Sequence, residues 1–404
     1  MKYDVAIIGA GPAGSTVAKI LSEKGYKTIL SDKYKFPREK ACGGAIPIKI
    51  FEKFPYLTND NFIESYTYGG IIHSQSNKYK VQIDKDKPIL GLVIRKKFDN
   101  ELVKLAISNG TKFIDGKKTI DIKIKEKNAE IFFNDGVKIK SEIIVGADGV
   151  WSTTAKKAGL LKNKINVSNS VYTEISIKNE IMDKYFSKKR NAIMHLKPYG
   201  ISGYGWVFPK KNHVNIGIGE VNINKDKKDN KKNLKYILEN YLELLKDLKI
   251  IPSNIKINKI NGSAIPNYSL EKTYSDRLII IGDAAGLANP FTGEGIFYAM
   301  ESAKIASETI NKAFQNKNLK SDFLSEYQRK WKKEFGKDLK LFEKSARLWN
   351  KENENFIRHV SNDKKLSENL IDIVSGNNGI YKIRWKLIRR YLYCLIKDKI
   401  KKSN

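Results

Sequence analysis

The chain has 404 residues, 41% hydrophobic and 29% charged, a globular composition too long for one ordinary core and unlike disordered or fibrous chains. Its formal net charge of +31 favours anionic partners in general, but the excess is spread along the whole sequence as Lys and assigns no function by itself. No apolar run approaches the roughly 18 residues that cross a bilayer. The start is expected to carry no secretory signal, and two distant cysteines, Cys42 and Cys394, point to a reduced, cytoplasmic protein.

In chain order, Val5 to Ile8 reads as a short buried strand, Gly14 to Lys24 as a helix ended by Gly25, and Thr28 to Leu30 as a second strand. Asp99 to Ser108 reads as a helix with Leu102, Leu105 and Ala106 on one face, and Glu142 to Val145 as another buried strand. From about 165 to 262 longer alternating strands dominate, interrupted by a helix over Leu234 to Leu248 whose apolar residues keep helical spacing. Leu278 to Ile281 returns to a buried strand, followed by a long helix from Gly295 to Phe314 and some 90 helix-rich, charged residues. No internal repeat, low-complexity linker or heptad run interrupts this order.

From Lys382 to Lys402 there are nine basic residues and one acid, interleaved with Trp385, Leu387, Ile388, Tyr391, Leu392 and Leu395. Leu387, Tyr391 and Leu395 follow an i, i+4, i+8 row. Such a helix either lies on an anionic membrane at the inner face or docks as an ordinary terminal helix.

Three motifs carry chemistry. Gly9-Ala10-Gly11-Pro12-Ala13-Gly14 stands between a strand and a helix, where Gly9 permits the turn, Gly11 admits a pyrophosphate and Gly14 lets helix and strand pack closely. The helix start offers N–H groups and a positive dipole end to phosphates. Asp32 ends the next strand 18 residues after Gly14, with Lys33 beside it, where a carboxylate accepts the ribose hydroxyls of an adenosine. The strands before Gly146-Ala147-Asp148-Gly149 and before Gly282-Asp283-Ala284-Ala285-Gly286 both end in small residues beside one carboxylate, which lets backbone approach a ligand. Singly, each is an ordinary strand-to-loop turn. The four histidines, His73, His195, His213 and His359, show no metal spacing, so no metal is expected. Neither a P-loop nor a Ser-His-Asp arrangement is supported.

Taken together, these residues resemble the FAD-dependent superfamily that includes the aromatic hydroxylases and, more closely, the geranylgeranyl reductases, over roughly residues 1–310. The resemblance implies FAD as cofactor, held by Gly9, Gly11, Pro12, Ala13, Gly14, Asp32 and Lys33, by Asp148 and Gly149, and by Gly282 and Asp283. Arg95 matches the family's flavin-contacting arginine before a helix. Lys156 and Lys157 stand where the superfamily usually has an arginine, so no role is carried to them.

Three stretches resemble the reductase branch. Cys42-Gly43-Gly44 matches a segment that lies near the isoalloxazine in that family. Pro290-Phe291-Thr292-Gly293-Glu294-Gly295-Ile296 matches its loop over the flavin ring, with Gly293, Gly295 and Ile296 on the cofactor and Pro290 toward substrate. Tyr204-Gly205-Trp206-Val207-Phe208-Pro209 followed by Gly217-Ile218-Gly219 matches its aromatic strand, in which Tyr204, Trp206 and Phe208 share one face. An aromatic core hairpin, with Lys210 to Asn212 at the corner, gives the same pattern, and a core strand can also wall an apolar tunnel. Cys42 is the candidate catalytic residue, as a proton donor or an alkene holder, and equally a small residue packed beside two glycines.

The expected fold is mixed α/β: a two-part FAD-binding Rossmann-like domain over 1–70, 95–160 and 275–310, a β-rich substrate domain over 71–94 and 161–274, and a helical region over 311–404. The expected function is reduction of isolated C=C bonds in a polyprenyl lipid or prenyl diphosphate by hydride from reduced flavin. The alternatives are an aromatic-hydroxylase-type monooxygenase and a non-catalytic lipid- or nucleic-acid-binding protein; nucleic acid is not an expected partner of the favoured reading. The electron donor stays open between NAD(P)H and a protein such as ferredoxin.

Overall fold

Four consecutive buried residues, Val5 to Ile8, end the strand Lys2–Ile8, which lies inside a parallel sheet. A strand flanked on both sides and covered on both faces must be apolar throughout, which accounts for the unbroken run. The computed structural model describes residues 2–58, 61–161, 166–221, 233–349 and 353–403.

The chain divides into two units. The first comprises Met1–Lys40, Arg95–Val167 and Ile265–Leu339. Its sheet runs in the order Tyr274–Ser275, Leu278–Ile280, Lys138–Gly146, Lys2–Ile8, Thr28–Ser31, Lys112–Ile114, and the hairpin strands Thr119–Ile124 and Ala129–Phe133 continue from Lys138–Gly146. Three parallel pairings are in register at their carboxyl ends: Ile8 opposes Gly146 on one side and Ser31 on the other, and Gly146 opposes Ile280. Everything immediately after those residues therefore emerges along one edge, the place where parallel α/β sheets bind ligands. Helix Pro12–Glu23 packs against both Arg95–Ser108 and Ile296–Gln315.

The second unit comprises Ala41–Ile94, Ser168–Ala264 and Lys340–Asn404. Its seven-stranded sheet has the order Asn261–Pro266, Val167–Ser176, His213–Glu220, Gly203–Pro209, Ala192–Leu196, Gly69–His73, Lys80–Asp84, and a small sheet joins Ala45–Pro47, Leu90–Leu92 and Ser65–Thr67. On one face, Val207, Ile216 and Ile218 pack with Ile237, Leu238, Tyr241, Leu242 and Leu245 of helix Leu234–Asp247. Asn233 starts that helix by accepting from the Lys235 and Tyr236 N–H groups. On the other face, Ile72 and Leu196 pack with Ile357, Leu366, Leu370 and Ile371 of helices Asn353–Ser361 and Lys364–Val374, with Tyr204 and Phe208 against the same cluster.

These boundaries differ from the sequence-drawn ones. Residues 41–70 join the second unit because Ala45–Pro47 and Ser65–Thr67 both pair with Leu90–Leu92, and Gly69–His73 pairs in parallel with Ala192–Leu196. The helical end is shared: 311–339 belongs to the first unit and 340 onward to the second. Helix Arg95–Ser108 starts four residues earlier than its apolar spacing suggests, so Arg95 stands at its first position.

Candidate active site

In the first unit, the three motifs meet along the carboxyl edge of the sheet. Gly9 follows the central strand at φ +101°, and a Cβ there would stand 2.3 Å from the Ala147 carbonyl oxygen and 2.9 Å from the Asp148 Cα. A Cβ on Gly14 would fall 1.8 Å from the Gly9 carbonyl oxygen, so helix Pro12–Glu23 can leave the turn this tightly only without one. A Cβ on Gly282 would sit 3.1 Å from the Ala13 Cβ, and one on Gly295 3.2 Å from Asp283 Oδ1. A Cβ on Gly11 would meet only Arg38 Nη2, at 3.7 Å. The turn is therefore closed on its protein side and open at Gly11.

Asp32 is buried, and its two oxygens accept from the Ala10 N–H at 2.8 Å and the Tyr34 N–H at 2.9 Å, which fixes the carboxylate beside the turn. Lys33 is exposed and lies over the Tyr34 ring. Asp148 accepts from Ser152 Oγ at 2.5 Å and from Thr154 N and Oγ1 at 2.9 and 3.0 Å. Burial raises its carboxyl above the usual range, and those three donors oppose the rise. Gly149, at φ +79°, has open space where a Cβ would be. Burial likewise raises Asp283, against the opposing charges of Lys40 and Arg95.

Two residues that the sequence reading did not single out complete this edge. Asp99, with its side chain 1% exposed, binds Arg95 through both oxygens and Arg38 Nη2 at 3.1 Å. Arg38 also stands 3.8 Å from Asp32 and over the Phe36 ring, yet its buried Nη1 has no hydrogen-bond partner. An unsatisfied guanidinium nitrogen beside the open Gly11 suits a phosphate. The only local signal was Pro37-Arg38 shortly after the strand; its partner Asp99 lies 61 residues away.

The Pro290–Gly295 loop is held from within. Asn289 Oδ1 accepts from Phe291 N at 2.9 Å and Thr292 N at 3.2 Å, Gly293 N donates to the Asn289 carbonyl, and Glu294 Oε1 accepts from Phe297 N at 2.7 Å. Pro290 and Ile296 are buried, and Gly293 adopts φ +71°.

In the second unit, Cys42, Gly43 and Gly44 lie against the aromatic strand Gly203–Pro209. A Cβ on Gly43 would stand 2.8 Å from the Phe208 ring and 3.2 Å from Trp206 Nε1, and Gly44, at φ +78°, has the Val93 carbonyl oxygen 2.1 Å from where its Cβ would be. Cys42 Sγ accepts from the Gly44 N–H at 3.3 Å. The Tyr204, Trp206 and Phe208 rings follow one another at 5.9 and 6.2 Å between centroids. Burial raises the Tyr204 phenol, with the nearby Cys42 thiol adding to the effect. Gly205 and Val207 face the opposite side, against Tyr241 and the apolar cluster, as the two-residue period requires.

The first unit thus has the fold and the site of a dinucleotide-binding oxidoreductase domain. A family model described as an FAD binding domain matches residues 2–333. The digeranylgeranylglycerophospholipid reductase of Methanococcus vannielii is 31% identical over 391 residues, 94% of each chain. That of Methanocaldococcus jannaschii is 34% identical over 345 residues, 82% of each chain. The solved structure of a geranylgeranyl bacteriochlorophyll reductase-like protein from Thermoplasma acidophilum superposes with a TM-score of 0.80 at 20% identity, over 95% of this chain and 98% of that one. The chain belongs to the FAD-binding family and, within it, to the digeranylgeranylglycerophospholipid reductase family. It is an FAD-dependent oxidoreductase, and the open Gly11 turn, Asp32 and the unsatisfied Arg38 fit that cofactor.

Proposed function

We propose that this protein saturates the isolated C=C bonds of geranylgeranyl chains on a glycerophospholipid. The observation that carries the reading is the 31% identity to a reductase of that name along 94% of both chains, which takes in both units. Reduced FAD supplies the hydride when bound.

The first unit's residues hold the cofactor. The Gly9–Gly14 turn and Arg38 bind the pyrophosphate, Asp32 and Lys33 the adenosine side, and Arg95, Asp148, Gly149, Gly282, Asp283, Gly293, Gly295 and Ile296 the remainder. In the second unit, Tyr204, Trp206 and Phe208 form an apolar wall for the prenyl chain, beside Cys42, Gly43 and Gly44. An isolated alkene has no carbonyl to activate it, so reduction needs a positioned proton donor and exclusion of water. Cys42 is that donor: its sulfur is oriented by the Gly44 N–H, and the nearby Tyr204 phenol, raised by burial, is the weaker acid.

A lipid substrate also needs a way to the protein. No helix among the described residues is long and apolar enough to cross a membrane. Helix Ile380–Ser403 supports surface attachment instead: Trp385, Ile388, Leu392 and Ile396 are 65, 46, 51 and 59% exposed and share one helical face among basic residues. Of the row Leu387, Tyr391 and Leu395 that the sequence offers as an apolar face, Leu387 and Tyr391 pack inward on the core cluster. The attachment face is therefore the other side of the same helix.

The test is anaerobic. Purified holoprotein is reduced with dithionite and mixed with a digeranylgeranylglycerophospholipid, and flavin reoxidation and lipid mass are followed together. Reoxidation with a gain of two hydrogens for each double bond is expected. Flavin that stays reduced beside unchanged lipid, with oxygen uptake on an aromatic compound instead, would move the protein to monooxygenase chemistry.

A further inference from the structure

Behind the Cys42–Gly44 loop lies a charged cluster that the proposed chemistry does not use. Glu174, Asn215 and Phe208 oppose one another across three paired strands. Lys210, directly after the aromatic strand, is 1% exposed, and its ammonium pairs with Glu174 Oε1 at 2.7 Å. Asn215, fully buried, donates to Glu174 Oε2 at 2.8 Å and to the Cys42 carbonyl oxygen at 3.4 Å, while its own Oδ1 accepts from Trp206 Nε1 at 2.7 Å. A Cβ on Gly44 would stand 3.4 Å from Lys210 Nζ, so the ammonium lies against the glycine whose N–H holds the Cys42 sulfur. The cluster thus touches the loop at both ends, through the Cys42 carbonyl and at Gly44, and it orients the Trp206 ring that packs on Gly43.

We infer that Lys210, Glu174 and Asn215 are positioning residues for Cys42, holding its loop against the aromatic strand and setting the reactivity of its thiol through a balanced ion pair of a buried ammonium and a partly buried carboxylate. The function of this arrangement rests on the reading of Cys42 as proton donor; its effect on the thiol does not. Burying an ammonium solely for stability is unfavourable, since a well-packed apolar residue of similar size serves as well or better. The pair instead fixes the local field. Removing the carboxylate leaves a bare cation near the sulfur, which favours the thiolate. Removing the ammonium leaves a bare anion, which disfavours it.

The test measures alkylation of Cys42 by iodoacetamide, a neutral reagent, at fixed pH, with peptide-resolved mass spectrometry to separate Cys42 from Cys394. Holoprotein with Glu174→Gln is expected to react about tenfold faster than the parent and Lys210→Met about tenfold slower. The Lys210→Met, Glu174→Gln double variant, neutral again, should return close to the parent rate. A cluster that merely props the loop would shift both single variants in the same direction or leave both unchanged, and either result overturns the inference. Where a single variant fails to fold, Asn215→Asp places a negative charge at the same point and is expected to slow alkylation; a faster rate would count against the inference. Opposite-signed rates beside an unmoved pH profile of turnover would keep the positioning network and remove Cys42 as the proton donor.

Discussion

Arg95 binds Asp99 through one edge of its guanidinium, Nε donating to Oδ1 at 2.7 Å and Nη2 to Oδ2 at 2.8 Å, one turn apart at the start of a helix. The same carboxylate takes Arg38 at 3.1 Å, so one buried anion orders two cations along the edge where the glycine turn opens. Replacing Asp99 with Asn removes the charge and leaves two guanidinium groups partly uncompensated. Breaking such buried pairs costs roughly 3 kcal/mol. Asp99→Asn is expected to weaken FAD binding at least about tenfold, since 1.4 kcal/mol is a factor of ten, and to lower Tm. Fluorescence titration of apoprotein with FAD measures it, and an unchanged Kd would remove Asp99 from the cofactor site.

His73 and His195 stack in the second unit with ring centroids 4.2 Å apart and planes 11° from parallel, and His195 Nδ1 bonds the Tyr241 hydroxyl at 2.8 Å. Burial, with Lys80 adding to it, lowers His73 from 6.5 to about 4. Burial, with His73 adding to it, lowers His195 to about 3. Because the folded values lie below the unfolded one, the unfolded chain takes up protons first as pH falls. The stability from keeping both rings neutral is whole above pH 6.5 and drains away as pH drops toward 4 and then 3. Each ring steepens the loss by at most about 1.4 kcal/mol per pH unit. Denaturant midpoints between pH 7 and 4.5 should fall in the parent and fall less steeply in His195→Phe. Parallel curves would show that these histidines do not set acid stability.

What the sequence disclosed was what neighbours along the chain decide. The Gly9–Gly14 turn, Asp32 and the strand ends at Gly146 and Gly282 are local devices, and parallel pairing then brings them to one edge. The alternation of Tyr204, Trp206 and Phe208 predicts a shared face, and their rings adjoin. Arg38 with Asp99, and Lys210 with Glu174 and Asn215, meet only through strand pairing and packing across long separations, which no periodicity encodes. Residues 41–70 follow the first two strands of the first unit along the chain, whereas their own strands find partners at Leu90–Leu92 and Ala192–Leu196. The terminal helix has two apolar stripes, and the one with the better i, i+4 spacing proved to be the docked one.

Gly217 pairs with Trp206 across the hairpin, and a Cβ on it would stand 2.2 Å from the indole ring. Gly217→Ala must therefore push Trp206 out of place, at a cost of about 1–3 kcal/mol for overpacking. The displaced indole also loses its bond to Asn215. Turnover on the prenyl lipid is expected to fall at least about tenfold while FAD content stays at the parent level, because no cofactor-holding residue of the first unit moves. Undiminished turnover in this variant would show that the aromatic strand is not a substrate wall.

The terminal helix separates folding from attachment on a single element. Leu387 and Tyr391 are partly buried against the core cluster, so truncating either to Ala should lower Tm through lost packing, with a loss of stability of about 1–2 kcal/mol for Leu387. Trp385 and Leu392 are more than half exposed and contribute little to the fold. Trp385→Glu with Leu392→Glu is expected to leave Tm within a degree or two, since surface changes usually stay within about 0.5 kcal/mol. The same pair should reduce co-sedimentation with anionic vesicles at least about tenfold, because it replaces two exposed apolar side chains with charges repelled by the headgroups. Raising the salt concentration should weaken parent binding without abolishing it, as basic residues supply one part of the attraction and apolar insertion the other. Vesicle binding unaffected by the double substitution would mean that the exposed stripe does not face lipid.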